Sequence, residues 1–446
     1  MKAVASPALA AWAVLVVLVI ALPVFADAGL NQQEAEGRRV MKRAQCNRCH
    51  EVSASENRPA ADGLPRPPRE QSCVDCHTWI LGTRGDTRAI ERQRREYPDW
   101  DRYLQNIVHL TRLPHLGTIA RRVEPAFLRR YLDGPFDLRP HLEESMVPLR
   151  LSASERDAVV AYLVALSGRR SSTPPSVNEA GSPKPEVVSQ VQINKGRLAF
   201  LGAGCAMCHV LGGERLVAGF TPSFFKALGP QAMLAPNLQF ARERLKRETF
   251  VAFVQDPQSI DPHVTMPNLG LSREQAESIA DFVLNTPIQF AVAPPPVPPA
   301  VPLLDREVPY SEVHREVFGL ICVHCHMDPA SNLGDGGAGN TGGLGFEGKG
   351  LVLETYKGLR RGLRRPDGTR LDVLVPRPGQ TESFLIEVLL RRHEEARRDG
   401  VPAFATPDLQ RSPIDPDAPG MPMGLPPLSL SKLSLVKTWI AQGARP

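Results

Sequence analysis

The chain has 446 residues, with 53 Lys+Arg against 48 Asp+Glu and a formal net charge of +5. At 42% hydrophobic it can bury several cores, which excludes wholesale disorder, and its length allows about two to four domains. The mild, dispersed charge excludes a dedicated nucleic-acid binder, and only 6% aromatic residues leaves core volume for a cofactor to fill.

The N-terminus carries an address. Met1-Lys2 precede an apolar run over residues 8–25, and Ala26-Asp27-Ala28 forms an A-x-A-like cleavage site, with Val24-Phe25-Ala26 as a second option. Residues 1–28 therefore read as a secretory signal peptide. The run lies at the lower length limit of a spanning helix, so an uncleaved segment would act as a membrane anchor. The expected location is the periplasm, where free thiols tend to oxidise.

All eight cysteines fall in one repeated five-residue word. The copies are Cys46-Asn47-Arg48-Cys49-His50, Cys73-Val74-Asp75-Cys76-His77, Cys205-Ala206-Met207-Cys208-His209 and Cys322-Val323-His324-Cys325-His326. This is the attachment spacing of c-type haem. Two thiols one helical turn apart can each add to a porphyrin vinyl group, and the next residue, His, then lies under the iron. Structural zinc gives no reason for a His after every pair. Four disulfides would not confine every cysteine to this word. A thiol-redox site would come with a thioredoxin-like βαβ pattern, which is missing. Four covalent haem c groups are the expectation, with His50, His77, His209 and His326 as proximal ligands.

Two composition breaks divide the mature chain. Residues 169–188 and the Pro-rich 291–308 read as exposed spacers that let three blocks reorient. The blocks are 29–168, 189–290 and 309–446. In the middle block a helical stretch over 192–202 leads into Cys205. Pro236-Asn237-Leu238, an amphipathic stretch over 248–255 and Met266-Pro267 follow. A closing helix begins at Ser272, with Ile279, Phe282 and Val283 as its apolar stripe.

This order resembles a class I cytochrome c domain. The resemblance implies a mainly α fold, with Met266 as the sixth iron ligand and the Pro236 carbonyl orienting His209. Block one repeats the plan. Residues 39–44 lead into Cys46, Pro114-His115-Leu116 stands in the Pro-x-Leu position, and 127–132 matches the amphipathic stretch. Met146 precedes a helix over 152–165, with Ser152 and Glu155 as a capping box. By that resemblance Met146 serves the haem of Cys46 and Cys49. An insertion over 51–110 carries the second word and the stretch 100–109, which ends at His109. Its haem needs another distal partner, with His109 favoured, then His115, then His141.

Block three departs further. A Gly-rich loop over 334–350, the stretches 351–363 and 386–397, and Met421-Pro422-Met423 lead to a helix over 433–441. It resembles the longer cytochrome c domains in which a Met-Pro motif precedes Pro-Pro-Leu-Ser and a helix ending Trp-Ile-x-x-Gly-Ala. That pattern makes Met421 the ligand, with Met423 as the alternative, and leaves His324 exposed inside its word.

Together these features imply three small helical cytochrome c-like domains joined by Pro-rich linkers. Iron held by six ligands offers no open position to substrate, so the expected function is relay of single electrons between redox proteins or membrane respiratory complexes. The alternatives are a peroxidase-like or sulfur-oxidising oxidoreductase acting at the haem of Cys73–His77, and a haem-bearing subunit of a larger respiratory complex. The pairs Arg121-Arg122 and Arg129-Arg130 read as a solvated helix face or a docking face for an acidic partner.

Overall fold

The computed structural model describes residues 30–52, 72–97, 100–106, 113–135, 138–142, 146–168, 188–212, 216–217, 222–288, 300–328, 348–399 and 419–446. The expected signal segment 1–28 and His109 lie outside these residues. The protein is mainly helical. No helix among the described residues is long and apolar enough to cross a membrane.

Among the described residues three main hydrophobic cores, one per block, and a small cluster of Ala120, Val160 and Val164 account for the packing. In the first, α1 (Gln32–Arg43) packs on α6 (Ala153–Leu166), burying Val40, Met41, Val159 and Tyr162. Both helices start at a capping box: Asn31 with Glu34, and the expected Ser152 with Glu155. The helices touch at Gly37, where a Cβ would stand 1.9 Å from the Ala158 carbonyl oxygen. Only glycine permits that approach.

The second core repeats this arrangement. Helix α7 (Gln190–Gly202) starts at a Ser189/Gln192 box and α9 (Arg273–Asn285) at a Ser272/Gln275 box. Their contact lies at Gly196, where a Cβ would be 2.0 Å from the Ser278 carbonyl oxygen. Phe200 and Phe282 meet edge to face beside it, with ring centres 5.5 Å apart. Helices α5 (Pro125–Asp133) and α8 (Arg247–Gln255) occupy matching places in the two blocks.

The first two blocks do not move independently of each other, contrary to the expectation of free reorientation. Phe240, from the middle block, is fully buried in the first core. Arg122 Nε binds Asp261 Oδ2 at 2.9 Å, and Thr118 Oγ1 donates to Asp261 Oδ1 at 2.8 Å. The Asp261 side chain is only 1% exposed, so the ion pair is sealed between the blocks. The backbone N–H groups of Glu124 and Asn237 donate to the Arg244 and Leu138 carbonyls, each at 2.8 Å.

The insertion is a helical unit of its own: α2 (Cys73–Gly82), α3 (Thr87–Glu96) and α4 (Trp100–Asn106). Trp79, Tyr97 and Trp100 hold it together, with Trp79 and Trp100 edge to face at 5.0 Å. Helix α4 packs on the π-helical stretch His314–Cys322 of the third block.

The third core gathers Phe318, Leu359, Ile386 and Trp439. Helix α10 (Phe384–Asp399) covers the stretch 386–397, and α11 (Leu430–Ala441) falls where the sequence predicts a closing helix. Within the stretch 351–363 a short helix spans Tyr356–Arg360. It stops at Gly362, whose φ is +66°, and a short antiparallel pair follows, β1 (Leu363–Arg364) with β2 (Arg370–Leu371). The Pro366-Asp367-Gly368 turn, with Gly368 at φ +82°, closes that hairpin. Of the spacer expected over 291–308, residues 300–308 pack on this core. Val301 and Val308 are buried in it, and Leu304 N–H donates to Thr438 Oγ1 at 2.8 Å.

Candidate functional site

All four cysteine words adopt a single helical turn. The His50, His209 and His326 N–H groups donate to the carbonyls of Cys46, Cys205 and Cys322 at 2.9–3.0 Å. Cys73 opens α2, capped by Ser72, which sets His77 one turn on. Residues i, i+3 and i+4 share a helix face, so each word presents two thiols and an imidazole to one side. In the first and third words the turn starts from a left-handed residue, Gln45 at φ 54° and Gly204 at φ 75°.

The imidazoles are oriented alike. His50 Nδ1 donates to the Pro114 carbonyl and His209 Nδ1 to the Pro236 carbonyl, both at 2.9 Å. The bond expected at Pro236 is therefore present, and block one repeats it. It fixes the tautomer and leaves Nε2 as the donor atom toward a metal. At His326 the Leu351 backbone acts more loosely, since Nδ1 lacks a well-formed hydrogen bond. Burial pushes His50 and His209 below the ordinary imidazole value and His326 down to about 4. Neutral imidazole is the form that binds a metal.

The thiols point away from the competing chemistries. None of the eight cysteines is in a disulfide. Burial pushes Cys46 and Cys205 up to about 11 and Cys322 up to about 12. A hydrogen bond with Cys73, together with burial, raises Cys49 as well. A thiol-redox motif needs the opposite shift. The one His/Cys/Asp/Glu group with ligand-like spacing among the described residues is Glu51, His115 and His263, and it contains no cysteine. Its two imidazoles stack face to face at 3.8 Å and 7°. Each nitrogen lone pair lies in its own ring plane, so one ion cannot serve both rings as they stand.

The methionines expected as ligands divide by position. Met266 packs against the second core and Met421 against the third, where Met421 N–H also donates to the Val388 carbonyl at 2.9 Å. Met423 is not part of that core's surround. Met146 is half-buried at the end of the loop before α6.

Of the distal candidates for the second word, His115 and His141 are engaged where the first two blocks meet. His115 lies on His263 and 3.3 Å from Thr118 Oγ1, and His141 stacks on Phe225 at 3.7 Å. His77 is buried, and its ring stands beside that of His324, with centres 6.1 Å apart and planes at 42°.

Sequence reasoning missed one further residue. Arg244 is 8% exposed and its Nε is buried without a partner. Burial, with Arg122 and Arg139 nearby, pushes its guanidinium down to about 9. A buried cation cluster with an orphaned donor calls for an anion, and the carboxylates of a haem suit it. The available signal was repetition, because Arg122 and Arg244 stand at the same spacing after Pro114 and Pro236. Arg122, expected on a solvated or docking face, is instead committed to Asp261. The chain matches no family model, no curated protein and no solved structure.

Proposed function

We propose that the chain is an exported, periplasmic tetrahaem c-type cytochrome that relays single electrons between respiratory redox partners. The observation that carries this is one ligand arrangement occurring twice in equivalent places. A half-buried His, its Nδ1 tied to a proline carbonyl at 2.9 Å, follows a turn that presents two thiols to the same side. Haem, once attached, supplies a one-electron iron couple.

The protein's own residues set the rest. Pro114 and Pro236 hold the His50 and His209 rings in register. Met146, Met266 and Met421 are the proposed opposite ligands, and a thioether there favours the reduced iron. Arg244 and its neighbours would hold haem carboxylates between the first two blocks. Cys49 and Cys73 lie in hydrogen-bonding contact, which supports close placing of the first two haems. A packed pair of domains with sealed polar contacts suits a fixed relay better than a set of freely swinging modules.

The test is reductive titration of the purified, haem-loaded protein under anaerobic conditions. Uptake of four electrons per chain, with complete reoxidation and no peroxide or thiosulfate turnover above that of free haem, is expected. Sustained turnover of either substrate would overturn the relay in favour of an enzyme.

A further inference from the structure

The geometry points to His324, from within the fourth word, as the distal ligand of the iron attached at Cys73 and Cys76. This rests on the second word carrying haem, with His77 as its proximal ligand. A histidine nitrogen binds a first-row metal at about 2 Å, and the ring centre lies about 1 Å behind it, so two imidazoles across one iron stand roughly 6 Å apart. The centres of His77 and His324 are 6.1 Å apart.

The fold builds this pair from two sides. His77 projects from α2, which Trp79 ties to Trp100 at the head of α4. Helix α4 packs on the stretch His314–Cys322, which ends at the first cysteine of the fourth word. His324 follows two residues later. Cys322, Cys325 and His326 share one face of that turn, and position i+2 falls on the opposite side. His324 therefore faces away from the fourth haem and toward the insertion. His324 is exposed, whereas His77 is buried. His115 and His141 are occupied elsewhere.

Two consequences follow. The second haem becomes bis-histidine, with no open coordination position, and it joins the insertion to the third block. Its distal ligand and the fourth haem's proximal ligand, His326, are then separated by a single residue.

The test uses the full-length, haem-loaded protein and its His324→Ala and His324→Met variants. Intact mass first establishes that the wild type carries four haems; a shortfall defeats the parent proposal rather than this one. EPR and near-infrared magnetic circular dichroism then read the ligands. Wild type should show one bis-histidine low-spin haem. With His324→Ala one haem in four should become high-spin, and added imidazole should restore it. With His324→Met, which keeps six-coordination if the alanine variant folds poorly, the bis-histidine signature should give way to a His/Met one. An unchanged bis-histidine signal in both variants, or its loss in His109→Ala instead, would overturn the assignment.

Discussion

The contact between α7 and α9 rests on one missing methyl group. Replacing Gly196 with alanine puts a Cβ 2.0 Å from the Ser278 carbonyl oxygen and 2.8 Å from the Phe282 Cβ. Neither atom is a flexible side-chain end, so the two helices must separate by more than about 1 Å to restore ordinary contact. That separation loosens Phe200, Ile279 and Phe282, each about 1% exposed. Such overpacking costs about 1–3 kcal/mol, against a helix-propensity gain from Gly to Ala of about 1 kcal/mol. Gly202, at the end of the same helix, has nothing within 4 Å of its would-be Cβ. Gly202→Ala therefore keeps the gain without the clash. Calorimetry of the full haem-loaded chain should place the middle-block transition of Gly196→Ala several degrees below wild type, and that of Gly202→Ala level or slightly above. Equal stability of the two variants would refute the packing argument.

The remaining expectations are independent of that one. Asp261→Asn strands Arg122 in a sealed contact and should cost about 3–5 kcal/mol, read by urea unfolding. Burial tends to raise the Asp261 carboxyl, but Arg122, the Thr118 hydroxyl and the His263 N–H outweigh it and hold the group below the usual range. Its stabilising share is thus complete above about pH 4 and is lost as pH falls through the folded value, an acid dependence that Asp261→Asn should lack. Trp100→Ala removes a fully buried side chain at a cost of about 3–5 kcal/mol and should loosen α2, seen as faster amide exchange there than in α7. A Cys205→Ser, Cys208→Ser double variant should lose one haem by mass and the middle-block calorimetric transition, while the third block's transition stays.

What was legible in the sequence was local. The capping box at Ser152 and the helix start at Ser272 are marked by chemistry within four residues, and the structure has both. The Pro236 carbonyl was expected only through the resemblance to class I cytochrome c domains, and its bond to His209 is present. The stretch 351–363 carried no clear period: a short helix over Tyr356–Arg360 ends at Gly362, and Asp367-Gly368 turns the hairpin that follows. Contacts across blocks leave no period to read. Phe240 in the first core, Asp261 facing Arg122, and Val301 on the third core are each set by tertiary packing alone. His324 was hidden differently, because a residue inside one attachment word reads as belonging to that word.

The most direct test of the central claim is the intact mass of the mature protein, produced with haem-attachment machinery in a periplasm and denatured before measurement. A mass equal to the polypeptide plus four covalently held haems is the expected result. The bare polypeptide mass, with eight cysteines open to alkylation, would contradict it.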